Sequence, residues 1–154
     1  MKVIICICAL LMINFVNAQS KIIDDYGPVT VKELKDKEEW FSPIYNYYKV
    51  DSLELANIKE IDKMTFKIFL GTWCSDSKVL VPKFIKVLDY LKVPKKNIKL
   101  INVNHSKSEP KKMIEKYNVK YLPTIIFYKG DKEFNRIIEF TEKSIEKYFI
   151  KSKF

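Results

Sequence analysis

At the centre of the chain stands Thr72-Trp73-Cys74-Ser75-Asp76-Ser77, which follows the apolar run from Phe66 to Leu70 and Gly71. The apolar run predicts a buried strand, and Gly71 ends it. After the cysteine segment, apolar residues recur at the spacing of an amphipathic helix, at Leu80, Phe84, Val87, Leu88 and Leu91. The sequence therefore predicts a strand, a tight connection and a helix, with Cys74 at the first turn of that helix.

The position of Cys74 favours a reactive thiol. Backbone amides without a partner and the helix dipole stabilise an anion at a helix start, and a thiolate is an anion. The thiolate is the nucleophile of disulfide exchange. Trp73 and the small polar residues around Cys74 do not describe a core environment, so we favour reactivity over the alternative of an inert buried cysteine.

The three residues after Cys74 shape the site in different ways. Ser75, Asp76 and Ser77 can each accept hydrogen bonds from amides at a helix start. Ser77 can also donate its hydroxyl to the thiolate, whereas the carboxylate of Asp76 disfavours the thiolate by like-charge repulsion. Ser77 stands three residues after Cys74, so no second thiol is there to resolve a disulfide that Cys74 forms.

Residues 1–18 have the pattern of a secretory signal peptide. A charged start is followed by the apolar run from Val3 to Phe15 and by a small residue, Ala18, at the expected cleavage site. Cleavage there leaves Cys74 as the only cysteine. An uncleaved anchor is the alternative, but the run is shorter than the roughly 20 residues that span a bilayer. We expect an exported protein, periplasmic or secreted.

The net charge of +9 could suggest nucleic acid or a membrane surface as a partner. Arg136 is the only arginine, however, and recognition of phosphates and bases relies on the arginine fork. Lysines alternate with glutamates along the predicted helices, which favours a solvated surface. His105 is the only histidine, and a metal site needs several ligands. We therefore expect no nucleic-acid partner, no metal and no organic cofactor.

The rest of the chain predicts one domain. Residues 19–60 form an N-terminal extension packed on the domain, with a helix that begins at Asp51 or Ser52 and has Leu53 among its apolar positions. Residues 61–154 then give the element order β-α-β-α-β-β-α, in which residues 124–128 and 133–140 form a hairpin around a glycine turn. This order predicts an α/β fold with a central mixed sheet flanked by helices.

Three features together resemble the thioredoxin family. They are Trp73-Cys74 with Ser77 after a buried strand, Pro82 eight residues beyond the cysteine, and the segment from Lys116 to Thr124 before a hydrophobic strand. The resemblance covers about residues 65–149 and implies a thioredoxin-like fold. It further implies that Pro123 is cis and faces Cys74, and that the backbone before it, at Leu122, pairs with a substrate strand.

The resemblance also has departures. Ser77 replaces the resolving cysteine of the family, and Ile68 stands where the family usually buries an aspartate that moves protons for that cysteine. The two losses agree, because a buried base has no task when no second thiol must be deprotonated. Glu139 and His105 are other candidate bases, although a solvated loop position is the favoured interpretation of His105.

The leading hypothesis is an exported monothiol oxidoreductase of the isomerase or mixed-disulfide reductase type. Cys74, Ser77 and Pro123 are its expected catalytic residues, and the substrate-binding residues are Trp73, Ser75, Asp76 and Leu122. Its expected partners are client proteins with disulfides or thiols and an external thiol that recycles Cys74. The alternative is a non-catalytic client-binding or chaperone module, in which Cys74 is at most a reversible tether. A redox-inactive descendant is a third interpretation, against which the intact Trp73-Cys74 pair argues.

Overall fold

The computed structural model describes residues 26–58, 60–139 and 144–150. Within these ranges the strands are β1 (Gly27–Val29), β2 (Met64–Leu70), β3 (Ile98–Asn102), β4 (Thr124–Lys129) and β5 (Lys132–Ile138). The helices are α1 (Val31–Lys37), α2 (Phe41–Tyr47), α3 (Ser52–Leu55), α4 (Ser75–Tyr90), α5 (Lys111–Lys116) and α6 (Glu146–Ile150). Residues 1–18, to which the signal-peptide prediction applies, lie outside the described residues.

The five strands form one mixed sheet in the order β1-β3-β2-β4-β5. Strands β2 and β3 are parallel, and the other neighbours are antiparallel. The parallel pair is joined by α4, because parallel strands need a crossover connection. The predicted α/β fold with a central mixed sheet flanked by helices is confirmed.

Alternation along β2 divides the core into two parts. Phe66, Ile68 and Leu70 point to the face that α4 and α6 cover, whereas Phe69 points to the face that α5 covers. On the α4 face, Phe66 meets Phe84 edge to face at 5.8 Å between ring centroids. The central strand is thus covered on both sides near its carboxyl end, where the cysteine segment begins.

The segment before β2 is partly helical and partly a strand. Helix α1 begins with a capping box, in which Thr30 Oγ1 accepts from the Glu33 amide at 3.1 Å and Glu33 Oε2 accepts from the Thr30 amide at 2.8 Å. Strand β1 was not foreseen: its three residues pair with β3 and extend the central sheet at its edge. A strand of three residues is too short to show a recognisable alternation of apolar and polar side chains, so the sequence does not predict it.

The helix expected after Asp51 is shorter than the apolar positions suggested. Asp51 caps it as predicted, accepting from the amides of Leu53 and Glu54, but the helix has four residues and ends at Leu55. Leu53 is 85% exposed, so its assignment to a buried face is wrong. A single helical turn presents only one residue, Leu55, to the core.

A buried carboxylate joins this segment to the last helix. Both carboxylate oxygens of Glu146 accept from the Tyr48 hydroxyl at 2.9 Å, and Oε1 also accepts from the Asp51 amide at 3.1 Å. Burial and the nearby Glu146 raise the pKa of Tyr48. Hydrogen bonds to the carboxylate of Glu146 therefore hold the start of α3 against the start of α6. Hydrogen bonds to a charged group are stronger than those between neutral groups.

Candidate functional site

The sequence at the end of β2 positions Cys74 at the start of α4. The chain turns through Gly71, Thr72 and Trp73, and the Cys74 amide donates to the Gly71 carbonyl at 2.9 Å. Cys74 is the N-cap residue with extended dihedral angles, φ −84° and ψ 123°, and its carbonyl accepts the first helical hydrogen bond from Lys78 at 3.0 Å. The thiol therefore lies at the positive end of a 16-residue helix.

The sulfur of Cys74 lies beside the loop before β4. Its Sγ is 3.5 Å from the carbonyl oxygen of Leu122, and the Leu122–Pro123 peptide bond is cis. Leu122 and Pro123 are buried, while Cys74 is partly exposed. The structure thus brings together three of the residues that the sequence singled out, from segments 48 residues apart.

Ser77 lies beneath the connection and not on the surface. Its side chain is fully buried, and its Oγ accepts from the Gly71 amide at 3.1 Å. The hydroxyl therefore ties the first turn of α4 to the end of β2. Ser75 is exposed, and Asp76 is partly exposed in the first turn of the helix. Of the three residues after Cys74, only Ser77 is enclosed by the fold.

Trp73 forms one wall of the site. Its Nε1 donates to the Val103 carbonyl at 2.9 Å, which ties the indole to the residue after β3. The ring also covers Gly71 so closely that a Cβ atom there would lie 2.7 Å from Trp73 Cε2. Gly71 is therefore required by the close approach of the indole.

His105, a candidate base for which a solvated loop position was the favoured interpretation, contacts the site through Trp73. Its ring packs against Trp73 with 4.3 Å between centroids and a tilt of 39°, although the residue is exposed in a loop as expected. The loop is held by Asn104, whose Oδ1 accepts from the amides of Ser108 at 2.8 Å and Glu109 at 2.9 Å. The predicted topology could have indicated this contact. Parallel β2 and β3 end at the same edge of the sheet, so the residues that follow them lie close together.

Two other positions bear on proton transfer: Ile68, at the place of the family's buried acid, and the candidate base Glu139. Ile68 is fully buried on the α4 face of the sheet, where it packs among apolar side chains. Glu139 follows β5, and its amide donates to the Pro123 carbonyl at 2.9 Å while the residue itself is exposed. The contact that Glu139 makes with the site is therefore through its backbone.

The described residues show neither a metal-binding cluster nor a membrane-spanning helix. Residues 26–58, 60–139 and 144–150 contain no group of three or more His, Cys, Asp or Glu side chains arranged to hold a metal ion. No helix in the same ranges is long and apolar enough to cross a membrane.

Comparison with known proteins gives consistent matches. A family model described as Thioredoxin matches residues 54–151. The chain is similar to a thioredoxin of Echinococcus granulosus, with 37% identity over 95 residues, which is 62% of this chain and 81% of the relative. It is also similar to thioredoxin-like 2, chloroplastic, of Oryza sativa subsp. japonica, with 32% identity over 69 residues. That match covers 45% of this chain and only 29% of the rice protein.

Among solved structures, the chain is similar to the thioredoxin of Fasciola hepatica. The match has 20% identity and a TM-score of 0.45, and it covers 67% of this chain and 90% of the other.

Proposed function

Because this chain belongs to the thioredoxin family over residues 54–151, whose members carry out thiol-disulfide exchange, we propose that Cys74 is the nucleophile of such an exchange. We propose further that it works as a monothiol site, acting on mixed disulfides or isomerising client disulfides. The partners are then client proteins and an external thiol.

One observation carries the proposal. A partly exposed cysteine caps a long helix beside the carbonyl of Leu122 and the cis Pro123, and the position three residues later is a buried serine. The thiol is therefore accessible at the positive end of this helix. The hydroxyl of Ser77 is not a redox group, and its recorded partner is the Gly71 amide.

The chemical steps balance with one protein thiol. The Cys74 thiolate attacks one sulfur of a client disulfide, forms a mixed disulfide with it and releases the other client sulfur as a thiolate. A low-molecular-weight thiolate, or a second client thiolate, then attacks the mixed disulfide and releases Cys74. With a glutathionylated client and glutathione, the products are the reduced client and glutathione disulfide. With a client thiolate as the attacking group, the product is a rearranged client disulfide.

The environment below the thiol fits this reaction. A resolving thiol would need a base to deprotonate it, and the position of the family's buried acid is held here by the fully buried Ile68. An interior carboxylate without a partner is costly, so the apolar residue stabilises the fold where no proton transfer is needed.

The surface around Cys74 supports binding of an extended client segment. The Leu122 carbonyl beside the sulfur is an acceptor for a client amide, and Pro123 holds the chain at the entrance to β4. Trp73 and His105 form an aromatic pair on the other side, which offers apolar area with little loss of side-chain entropy.

Turnover of a glutathionylated peptide, followed as release of the reduced peptide in the presence of glutathione, tests the proposal. The wild-type protein should accelerate release, and Cys74→Ala should reduce the rate to that of glutathione alone. Leu53→Ala, which changes an exposed residue of α3 outside the site, is the control and should keep the activity. An unchanged rate in Cys74→Ala would contradict the proposal.

The surroundings of the Cys74 sulfur also support a second candidate function, that of a client-binding module. Cys74 Sγ lies 3.5 Å from the carbonyl oxygen of Leu122, so a client segment held at Cys74 is also next to a backbone acceptor for strand pairing. This contact favours the alternative of a client-binding or chaperone module in which Cys74 is a reversible tether. In that case Cys74→Ser should retain client binding, measured with an unfolded reduced client, whereas a catalytic site loses its covalent complexes.

Export is part of the proposal and rests on sequence. The apolar run from Val3 to Phe15 and the small residue Ala18 support cleavage before Gln19. N-terminal sequencing of the protein recovered outside the cytoplasm should begin at Gln19. Recovery of the uncleaved chain in the cytoplasm would contradict export.

A further inference from the structure

A lysine occupies the middle of the central strand. Lys67 lies in β2, between Phe66 and Ile68, with β3 on one side and β4 on the other. Its side chain points to the α5 face, like that of Phe69. Such positions are normally apolar, because a strand with neighbours on both sides has little contact with water. Lys67 is nevertheless only half-buried, since α5 does not cover this part of the sheet.

The ammonium group of Lys67 rests on aromatic rings. Its Nζ lies 3.7 Å from the ring centroid of Tyr128 and 5.1 Å from that of Tyr117. Ring faces attract a cation, but they do not neutralise it. None of the ion pairs in the described part of the chain includes Lys67. A half-buried charge is thus held in place without a counter-ion.

Lys67 lies in a cavity of about 540 Å³, a size that suits a small molecule. Hydrogen-bond donors of several kinds line it, contributed by Thr65, Lys67, Lys116, Tyr117, Asn118 and Tyr128. The acidic Glu133 is already engaged, because Arg136 binds it through Nε and Nη2 at 2.8 and 2.9 Å. The other acidic side chain of the lining is Asp131, an exposed residue at the hairpin turn.

The positive charge is reinforced from the neighbouring strand. In the parallel ladder, Lys67 is in register with Lys99 of β3. Like charges on adjacent strands repel when they share a face, and this repulsion is unfavourable to the fold. Lys116 adds a third charge from the last turn of α5. Cations from β2, β3 and α5 therefore lie on the same side of the sheet.

We propose that this cavity binds a small, multiply charged oxyanion, through Lys67 and Lys116 as cations and the hydroxyl and amide groups as donors. An oxyanion supplies the missing counter-ion and accepts from the surrounding donors. The shared chemistry is that of phosphate groups or clustered carboxylates on a small molecule. The cavity lining does not include Cys74, Trp73 or Pro123, so the site is distinct from the thiol site.

Calorimetric titration with inorganic pyrophosphate, and separately with citrate, tests the proposal. Either anion should bind saturably, and its affinity should fall as sodium chloride is added. Lys67→Met keeps the length of the side chain and removes the charge, and it should weaken binding by about tenfold or more. Lys86→Met is the matched control, since Lys86 is also half-buried over a tyrosine ring, 4.5 Å from Tyr45, but lies on α4.

The relative affinities for pyrophosphate and citrate distinguish a phosphate ligand from a carboxylate ligand. Tighter binding of pyrophosphate assigns phosphate chemistry, and tighter binding of citrate assigns carboxylates. Cys74→Ala should bind as the wild type does, so this proposal can fail or succeed independently of the thiol chemistry. Absence of saturable binding for both anions would overturn it, as would equal weakening in Lys86→Met and Lys67→Met.

Thermal melting of Lys67→Met shows whether a loss of anion binding comes from misfolding of the variant. Without ligand, Lys67→Met should melt near the temperature of the wild type, because the loss of the contacts with the tyrosine rings and the removal of a half-buried charge oppose each other. A lower melting temperature in Lys67→Met would show that the lysine serves the fold itself and would contradict the proposal.

Discussion

The hydroxyl of Ser77 is expected to stabilise the fold by satisfying a buried amide. Ser77 is fully buried, Gly71 is also buried, and the Gly71 amide donates to Ser77 Oγ at 3.1 Å. Ser77→Ala removes the acceptor and leaves the amide without a partner in the interior. An unsatisfied buried donor costs about 1–3 kcal/mol. The higher helix propensity of alanine returns at most about 0.5 kcal/mol, so we expect a net loss near 1–2 kcal/mol in the free energy of unfolding.

Urea unfolding followed by circular dichroism measures this loss. Ser75→Ala changes an exposed serine in the same helical turn and should stay within about 0.5 kcal/mol of the wild type. Ser77→Cys keeps a weak sulfur acceptor and should fall between the two variants. A loss below about 0.5 kcal/mol in Ser77→Ala, no larger than that of Ser75→Ala, would refute the reasoning that this hydroxyl serves the backbone.

Three further changes have definite expected results. Gly71→Ala places a Cβ 2.7 Å from Trp73 Cε2 and should cost about 1–3 kcal/mol in urea unfolding, because the indole must move; full stability would contradict the close contact. Burial and a hydrogen-bonded carboxylate raise the pKa of Tyr45 from 10.0 to about 12. The unfolded chain therefore releases this proton first, stability falls as pH rises from about 10 to 12, and Tyr45→Phe should show a shallower fall in thermal melts across that window. Glu146→Ala leaves the Tyr48 hydroxyl without its partner and should cost about 2–4 kcal/mol, whereas Glu146→Gln, which keeps an acceptor, should cost less.

The sequence predicted the elements around the site because their signals are local. The apolar run before Gly71 and the helical spacing after Cys74 place the cysteine at a strand-to-helix junction, where the structure has it. The glycine turn between β4 and β5 identified the hairpin in the same way. Short elements were missed, because β1 has three residues and pairs only at the sheet edge.

Contacts between segments far apart in the chain could not be predicted from local sequence patterns. The hydrogen bond from Trp73 to the Val103 carbonyl and the packing of His105 on the indole depend on how the parallel strands end together. The run from Phe66 to Leu70 predicts a buried strand, but Lys67 within it is only half-buried. The length and position of α5 decide how much of its face of β2 stays uncovered. The hydrophobic periodicity of the sequence does not reveal either of them.

The central claim is that Cys74 forms a mixed disulfide that the protein cannot resolve by itself. Intact-mass measurement after mixing the reduced protein with a glutathionylated peptide tests it directly, with Ser77→Cys as the comparison. We expect the wild type to accumulate a glutathione adduct on Cys74 that persists until glutathione is added, and Ser77→Cys to replace that adduct by an internal disulfide. Failure of the wild type to form any Cys74 adduct, or loss of the adduct without an added thiol, would contradict the claim.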